Sequence, residues 1–157
     1  LNPTNQGTIL RTSWLMGSFG HSFIKTMLGI HKNQKSCTVV SDQFGCPTSS
    51  INLAKTIWRI IVQKNKDSSL PSSLHYCDKG IASWFDIAIS TGQIAKEIGL
   101  LKNLAKIESM SSFDYPTPAA RPKYAILDCQ LTYEMLGIKT ITWEIALKEI
   151  LNSIQIH

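Results

Sequence analysis

The chain contains no G-x-G-x-x-G turn. It therefore lacks the usual cradle for a dinucleotide pyrophosphate, which needs glycines for the tight turn and for close backbone approach. The nearest match, Gly17-Ser18-Phe19-Gly20, has no third glycine and follows the wrong strand. Cys37, Cys46, Cys77 and Cys129 form no CxxC and no regular spacing. That argues against a disulfide framework and for free thiols in a reducing compartment. His21, His31, His75 and His157 never stand at i, i+4, so no metal pair is offered on a helix, and no metal site is expected. No Ser/His/Asp or Cys/His arrangement can be picked from spacing. There is no signal peptide, and no apolar run approaches the roughly 20 residues that span a bilayer. A soluble, cytoplasmic protein without a membrane partner is the expectation. Basic residues are also never dense. The net charge is +5, but Lys32 with Lys35 and Lys64 with Lys66 fall at helix ends or in loops, where lysines are favourable near helix C-termini. A nucleic-acid surface would cluster them on one face, so no nucleic acid is expected. The modest positive balance suits a diphosphate ligand.

What is present supports a core: 43% of the 157 residues are hydrophobic. The length suits one domain or part of a larger one. Residues 1–7, Leu1 to Gly7, read as a surface loop, and the chain is expected to be a piece of a longer protein. Thr8 to Trp14 reads as a strand running into a loop. Phe23, Met27 and Ile30 recur on one face of a helix. Cys37-Thr38-Val39-Val40 is a short strand, followed by a polar loop from Asp42 to Ser50 in which Ser49 or Ser50 can cap the next helix. Leu53, Ile57, Ile60 and Ile61 form a strong helical stripe. Asp67 to Ser73 is a turn-rich connector. Leu74 to Cys77 reads as a buried strand in which His75 is a satisfied structural histidine. Ser83 with Asp86 has capping-box spacing and opens a helix running to about Gly99. Ile107 to Met110 is a short strand. Ser111 to Lys123 is mostly loop. Asp128 starts a helix that stops near Gly137. Thr142 is expected to cap a final helix that turns Trp143, Leu147, Ile150, Leu151 and Ile154 inward. Strands alternating with helices give an α/β fold with parallel pairing.

Three segments could carry function. Arg11-Thr12-Ser13-Trp14 lies at a strand end, where open α/β sheets bind ligands. Trp14 there could be a core residue or could stack on the apolar face of a sugar. In Asp42-Gln43-Phe44-Gly45-Cys46-Pro47-Thr48, Gln43 offers both donors and acceptors, and Gly45 allows close backbone approach. The same stretch could be a plain loop with a helix cap. In Tyr115-Pro116-Thr117-Pro118-Ala119-Ala120-Arg121-Pro122, Arg121 could be an isolated surface residue or a fork for phosphate oxygens. His21, in the loop after Gly20, could touch a ligand or simply face solvent.

Taken in order, these motifs resemble the C-terminal half of dTDP-4-dehydrorhamnose reductases, a nucleotide-sugar branch of the extended short-chain dehydrogenases. The resemblance runs from about Ile9 to Trp143 and includes Phe23-Ile24-Lys25-Thr26-Met27-Leu28 and Ser83-Trp84-Phe85-Asp86. It implies late strands of a Rossmann-like sheet plus a smaller substrate-binding region. Residues 1–157 would be the C-terminal substrate-binding part, with the N-terminal cofactor-binding part absent. It further implies that Thr12 and Ser13 line the nicotinamide end of NADPH, and that Trp14, Gln43 and Arg121 hold the nucleotide sugar. The parent would reduce the C4 ketone of dTDP-4-dehydro-L-rhamnose to give dTDP-L-rhamnose, and could be a homodimer. The family's proton donor is a Tyr with a Lys four residues on, the Lys lowering the phenol pKa. Tyr76, Tyr115, Tyr124 and Tyr133 are followed at that distance by Gly80, Ala119, Asp128 and Gly137, so this chain alone should be inactive. Met16, Ser22 and Ala125 replace the family's usual Tyr, Asn and Ser. Ile51 stands where some members place a metal-binding Glu. Two alternatives remain open: a non-catalytic relative, such as the regulatory subunit of methionine adenosyltransferase, and a module that only binds nucleotide sugars.

Overall fold

Alternation of short strands and amphipathic helices produces the expected α/β architecture, seen in a computed structural model that describes residues 7–66, 70–115, 117–119 and 121–154. The loop expected at residues 1–6, the start of the connector at Asp67, and Pro116, Ala120 and His157 lie outside the described residues. In chain order the elements are β1 (Ile9–Arg11), β2 (Leu15–Met16), α1 (Phe23–Asn33), β3 (Ser36–Val40), β4 (Phe44–Gly45), β5 (Thr48–Ser49) and α2 (Ser50–Lys66). There follow β6 (Ser73–His75), β7 (Ala82–Ser83), α3 (Trp84–Glu97), β8 (Lys106–Met110), a 3-10 turn at Ser112–Asp114, β9 (Tyr124–Ala125), α4 (Gln130–Met135) and α5 (Trp143–Ser153).

Three two-stranded sheets are parallel: β1 with β6, β2 with β5, and β3 with β8. β4 lies between β7, antiparallel, and β9, parallel. The main core forms where α1, α3 and α5 meet around Ile24, Leu28, Ile87, Ala95, Trp143, Leu147, Ile150 and Leu151, all buried. Each large apolar side chain buried there contributes about 1.5–3 kcal/mol.

Helix starts follow the sequence closely. Ser22 caps α1, its hydroxyl accepting from the Lys25 N–H. The Ser83 and Asp86 box closes on both sides: the Asp86 N–H donates to Ser83 Oγ at 3.1 Å, and the Ser83 N–H donates to Asp86 Oδ2 at 2.8 Å. The start of α5 differs from expectation. Thr142 occupies the cap position, but its hydroxyl makes no cap bond. A neighbouring backbone does that work instead, since the Trp143 N–H donates to the Lys79 carbonyl at 3.0 Å. At the start of α2, the buried Asp78 carboxylate accepts from the Ser49 N–H, the Asn52 amide and the Tyr76 hydroxyl. Burial outweighs these donors and holds Asp78 above the usual carboxylate range.

Three helices show what the sequence pattern leaves open. In α2 the stripe does not bury: only Thr56 and Ile60 are buried, while Ile57 and Ile61 are exposed. Periodicity marks an apolar face but cannot supply the surface that covers it. In α1 the face carried by Phe23, Met27 and Ile30 lines a cavity, and Ile24, Leu28 and His31 turn to the interior. His31 reaches α3, where its Nε2–H donates to the Ala88 carbonyl at 3.0 Å. Gly92 gives the ring room, because a Cβ there would stand 2.5 Å from Nε2. The last helix before α5 begins at Gln130 rather than Asp128, whose carboxylate accepts from the Gln130 N–H.

Candidate ligand site

A cavity of about 430 Å³ opens between α1 and β3. Its apolar wall is Phe23, Met27 and Ile30 from α1, Val39 and Val40 from β3, and Trp84 from the first position of α3. Its polar margin is Gln43, Ser112, Thr117 and Arg121, with Tyr115 beside them. Pockets of this size with an apolar body and a few convergent polar groups are typical small-molecule sites.

The loop after β3 and the 3-10 turn are tied together by one carboxylate. Asp42 accepts from the Ser112 N–H at 2.8 Å, the Ser112 hydroxyl at 3.0 Å and the Ser111 hydroxyl at 3.3 Å. The Ser112 backbone bond, first among these, holds the Asp42 carboxyl below its usual range. This clamp brings Gln43 and Ser112 to the same cavity.

Gln43 is nine-tenths buried, yet its side-chain amide has no hydrogen bond among the described residues. The amide lines the cavity with donors and an acceptor open to a ligand. Arg121 is exposed and makes no ion pair among the described residues. Its guanidinium is therefore available at the rim.

The Arg11–Trp14 segment lies behind this wall. Thr12 is exposed just beyond β1, and its hydroxyl donates to Thr48 Oγ1 at 3.2 Å. Ser13 is buried, and its hydroxyl is committed to the Ala125 carbonyl at 2.9 Å. Trp14 has φ 41°, the left-handed region that a bulky residue rarely occupies. Its indole stacks on Trp84 with ring centroids 3.9 Å apart and planes 14° from parallel. A Cβ on Gly45 would stand 2.4 Å from Trp14 Cε2 and 2.6 Å from Cδ2. Trp84 and Gly45 cannot share a face at those separations, so the indole is sandwiched between them. Only its edge is left for a ligand. Phe23 meets Trp84 edge-on at 4.9 Å, which joins the Trp14 stack to the cavity wall.

Gln43 and Arg121 thus meet at one cavity. Thr12, Ser13 and Trp14 form a second group that touches it through Trp84. Sequence reasoning missed Trp84, the cavity-facing side of α1 and the Asp42 clamp. The capping box at Ser83 and Asp86 was the available clue for Trp84, since it places that residue at the first turn of α3. His21 is exposed, and His75 hydrogen-bonds the Asp128 carbonyl through Nδ1. The four cysteines are free thiols. Among the described residues no cluster could hold a metal ion, and no helix is long and apolar enough to cross a membrane.

These features define an α/β unit whose first helix and neighbouring strand enclose a cavity of small-molecule size. The chain belongs to the RmlD substrate binding domain family, whose sequence profile matches residues 1–156. It is 35% identical to the dTDP-4-dehydrorhamnose reductase of Aggregatibacter actinomycetemcomitans, over 96% of this chain and 51% of that one. A crystal structure of a dTDP-4-dehydrorhamnose reductase from Clostridium acetobutylicum superposes with TM-score 0.81 at 33% identity, covering 95% of this chain and 49% of that one. The reductase from Bacillus anthracis in complex with NADP gives TM-score 0.79 at 29% identity, covering 92% and 48%. The chain therefore spans about half the length of the relatives it matches, and its fold is that of half of an extended short-chain dehydrogenase.

Proposed function

We propose that the chain is the substrate-binding portion of an NADPH-dependent dTDP-4-dehydrorhamnose reductase, which reduces a C4 ketone to give dTDP-L-rhamnose. The observation that carries this reading is the meeting of Gln43 and Arg121 at the polar margin of an apolar cavity. The nucleoside end of the substrate fits the apolar wall of Phe23, Met27 and Val39. Arg121 takes the diphosphate through charge-assisted hydrogen bonds. Gln43 and the edge of Trp14 orient the deoxysugar.

NADPH would supply the hydride. This chain's own donors fit only a margin of that cofactor: Thr12 is exposed beyond β1, whereas Ser13 turns its hydroxyl to Ala125. Thr12 and the Ser13 backbone would border the nicotinamide end, and binding of the dinucleotide phosphates would fall to the part of the protein outside these residues. The chain alone is expected to be inactive, because it holds neither the glycine-rich turn nor a Tyr with Lys four residues on.

Calorimetric titration with dTDP-rhamnose and, separately, with NADPH tests the assignment. Tighter binding of the nucleotide sugar is expected. Tighter binding of NADPH, or no binding of the nucleotide sugar, would overturn it.

A further inference from the structure

Three of the four free thiols meet in one buried cluster outside the ligand cavity. Cys46 lies between β4 and β5, Cys77 follows β6, and Cys129 immediately precedes α4. Each is buried, and Leu127 and Tyr133 pack against them. Cys77 sits between the other two, within hydrogen-bonding reach of each. The fourth thiol, Cys37, stands apart on the cavity wall. A buried cysteine alone packs as a small hydrophobe. Cysteines in contact can also be joined.

Two hydrogen bonds bracket one pair in this cluster. On one side the His75 Nδ1–H donates to the Asp128 carbonyl at 3.2 Å. On the other the Tyr133 hydroxyl donates to the Cys77 carbonyl at 2.7 Å. The chain around Cys77 is thereby tied to the start of α4 both before and after Cys129. A bridge needs such a tie, since a disulfide forms only where the backbone already holds two cysteines close. Cys129 also has the thinner cover: its neighbours Asp128 and Gln130 are exposed. The Cys77 hydrogen bond holds the Cys129 thiol below its usual range, whereas Cys46 and Cys77 are each pushed up, first by a neighbouring thiol. The thiolate is the nucleophile in cysteine oxidation, so Cys129 attacks first.

We propose that Cys77 and Cys129 form a reversible redox site, closed as a disulfide by hydrogen peroxide and reopened by a low-molecular-weight thiol. The Cys129 sulfur attacks one peroxide oxygen. The S–O bond forms as the O–O bond breaks, and the other oxygen leaves as water with the thiol proton. The Cys77 sulfur then attacks the resulting sulfenic acid. The S–S bond forms, the S–O bond breaks, and the hydroxyl leaves as a second water with the Cys77 proton. Two thiols lose two electrons between them, and the peroxide gains both. Reopening runs by exchange through a mixed disulfide, with two molecules of the small thiol ending as their own disulfide. Cys46 stays reduced beside the bridge. None of the three cysteines lines the cavity, so the site operates whatever ligand the cavity takes.

The test treats the folded chain with a few molar equivalents of hydrogen peroxide, blocks remaining thiols with N-ethylmaleimide, and maps the digest by mass spectrometry. A Cys77–Cys129 peptide pair, lighter by two hydrogens, is expected, with Cys46 still free. Dithiothreitol should restore both thiols. In concentrated urea the same treatment should scatter the pairings and draw in Cys37, because the folded chain sets the pair. Cys46→Ser should still form the bridge. In Cys77→Ser, dimedone should label Cys129 as the trapped sulfenic acid. Mapping of the unmodified sequence decides the matter even if a variant fails to fold. All three clustered thiols still free after peroxide would make the cluster a packing feature and overturn the site. A bridge through Cys46, or sulfinic acid on Cys129 with Cys77 left free, would overturn the pair. The same mixture of pairings in native buffer and in urea would overturn it too.

Discussion

At the scale of single residues, Gly45 and Gly92 are each held to glycine by a neighbouring ring. A Cβ on Gly45 would stand 2.4 Å from the Trp14 ring, and one on Gly92 would stand 2.5 Å from His31 Nε2. Alanine at Gly92 would gain about 1 kcal/mol of helix propensity. It would also push the imidazole off the Ala88 carbonyl inside a packed interior, at about 1–3 kcal/mol for overpacking alone. Gly92→Ala should therefore destabilise, and thermal melts should show a lower midpoint than wild type. An unchanged or higher midpoint would mean that the two helices part without cost. Gly45→Ala should act differently, because its ring neighbour adjoins the ligand cavity through Trp84. A weakened nucleotide-sugar affinity is expected alongside any loss of stability. Gln43 and Arg121 stood out in the sequence because amide and guanidinium chemistry suits a sugar diphosphate, and the structure brings both to one cavity. The confinement of Trp14 was not, since the partners on its two faces come from residues 31 and 70 positions away, Gly45 and Trp84.

At the scale of elements, capping chemistry was the most readable feature. The Ser83 and Asp86 box behaves as its spacing predicts, whereas Thr142 is bypassed by a long-range backbone bond from Trp143 to Lys79. Ser83→Ala should cost about 1 kcal/mol by removing one side of the box, measured by denaturant unfolding. Helical stripes were readable as stripes, but their destinations were not. The same spacing carries core in α5, a cavity wall in α1 and an uncovered face in α2. Strands of two residues, such as β4 and β5, are too short to show any period. The Asp42 clamp gives the site a pH dependence. Its carboxyl is held below its usual range by the Ser112 bonds. A depressed carboxyl stabilises the fold above its unfolded pKa, and that contribution is lost as pH falls through the lower folded value. The 3-10 turn should therefore loosen below about pH 4. Nucleotide-sugar affinity should fall over the same range. Asp42→Asn should have weaker affinity near neutral pH, with less further loss on acidification. A variant as acid-sensitive as wild type would place the dependence elsewhere.

At the scale of the whole molecule, the α/β class and the parallel pairing followed from alternating strands and helices. The division into several small sheets did not, because a two-stranded parallel pair such as β1 with β6 gives no hint in sequence of what completes it. Under the proposed function, nucleotide-sugar binding groups would lie within this chain, and the hydride donor's main contacts and the proton donor in the part outside it. Purified chain supplied with NADPH and the 4-keto nucleotide sugar should therefore show no turnover above a blank. In a full-length reductase carrying this half, Arg121 and Trp14 should separate kinetically. Arg121 would hold the diphosphate equally in ground and transition states, so Arg121→Ala should raise KM and spare kcat. Loss of a hydrogen bond to a charged group costs about 1.5–3 kcal/mol, roughly ten- to a hundred-fold in affinity. Trp14→Ala removes the ring that Gly45 and Trp84 sandwich, so the sugar edge of the site shifts with it. Misplacing the C4 ketone relative to the hydride should lower kcat as well. Circular dichroism and melting curves accompany both assays. Arg121→Ala with an unchanged KM would return Arg121 to the status of a surface residue. Trp14→Ala that unfolds the protein, while Trp14→Phe restores both fold and kcat, would make Trp14 a packing residue that serves the site through Trp84.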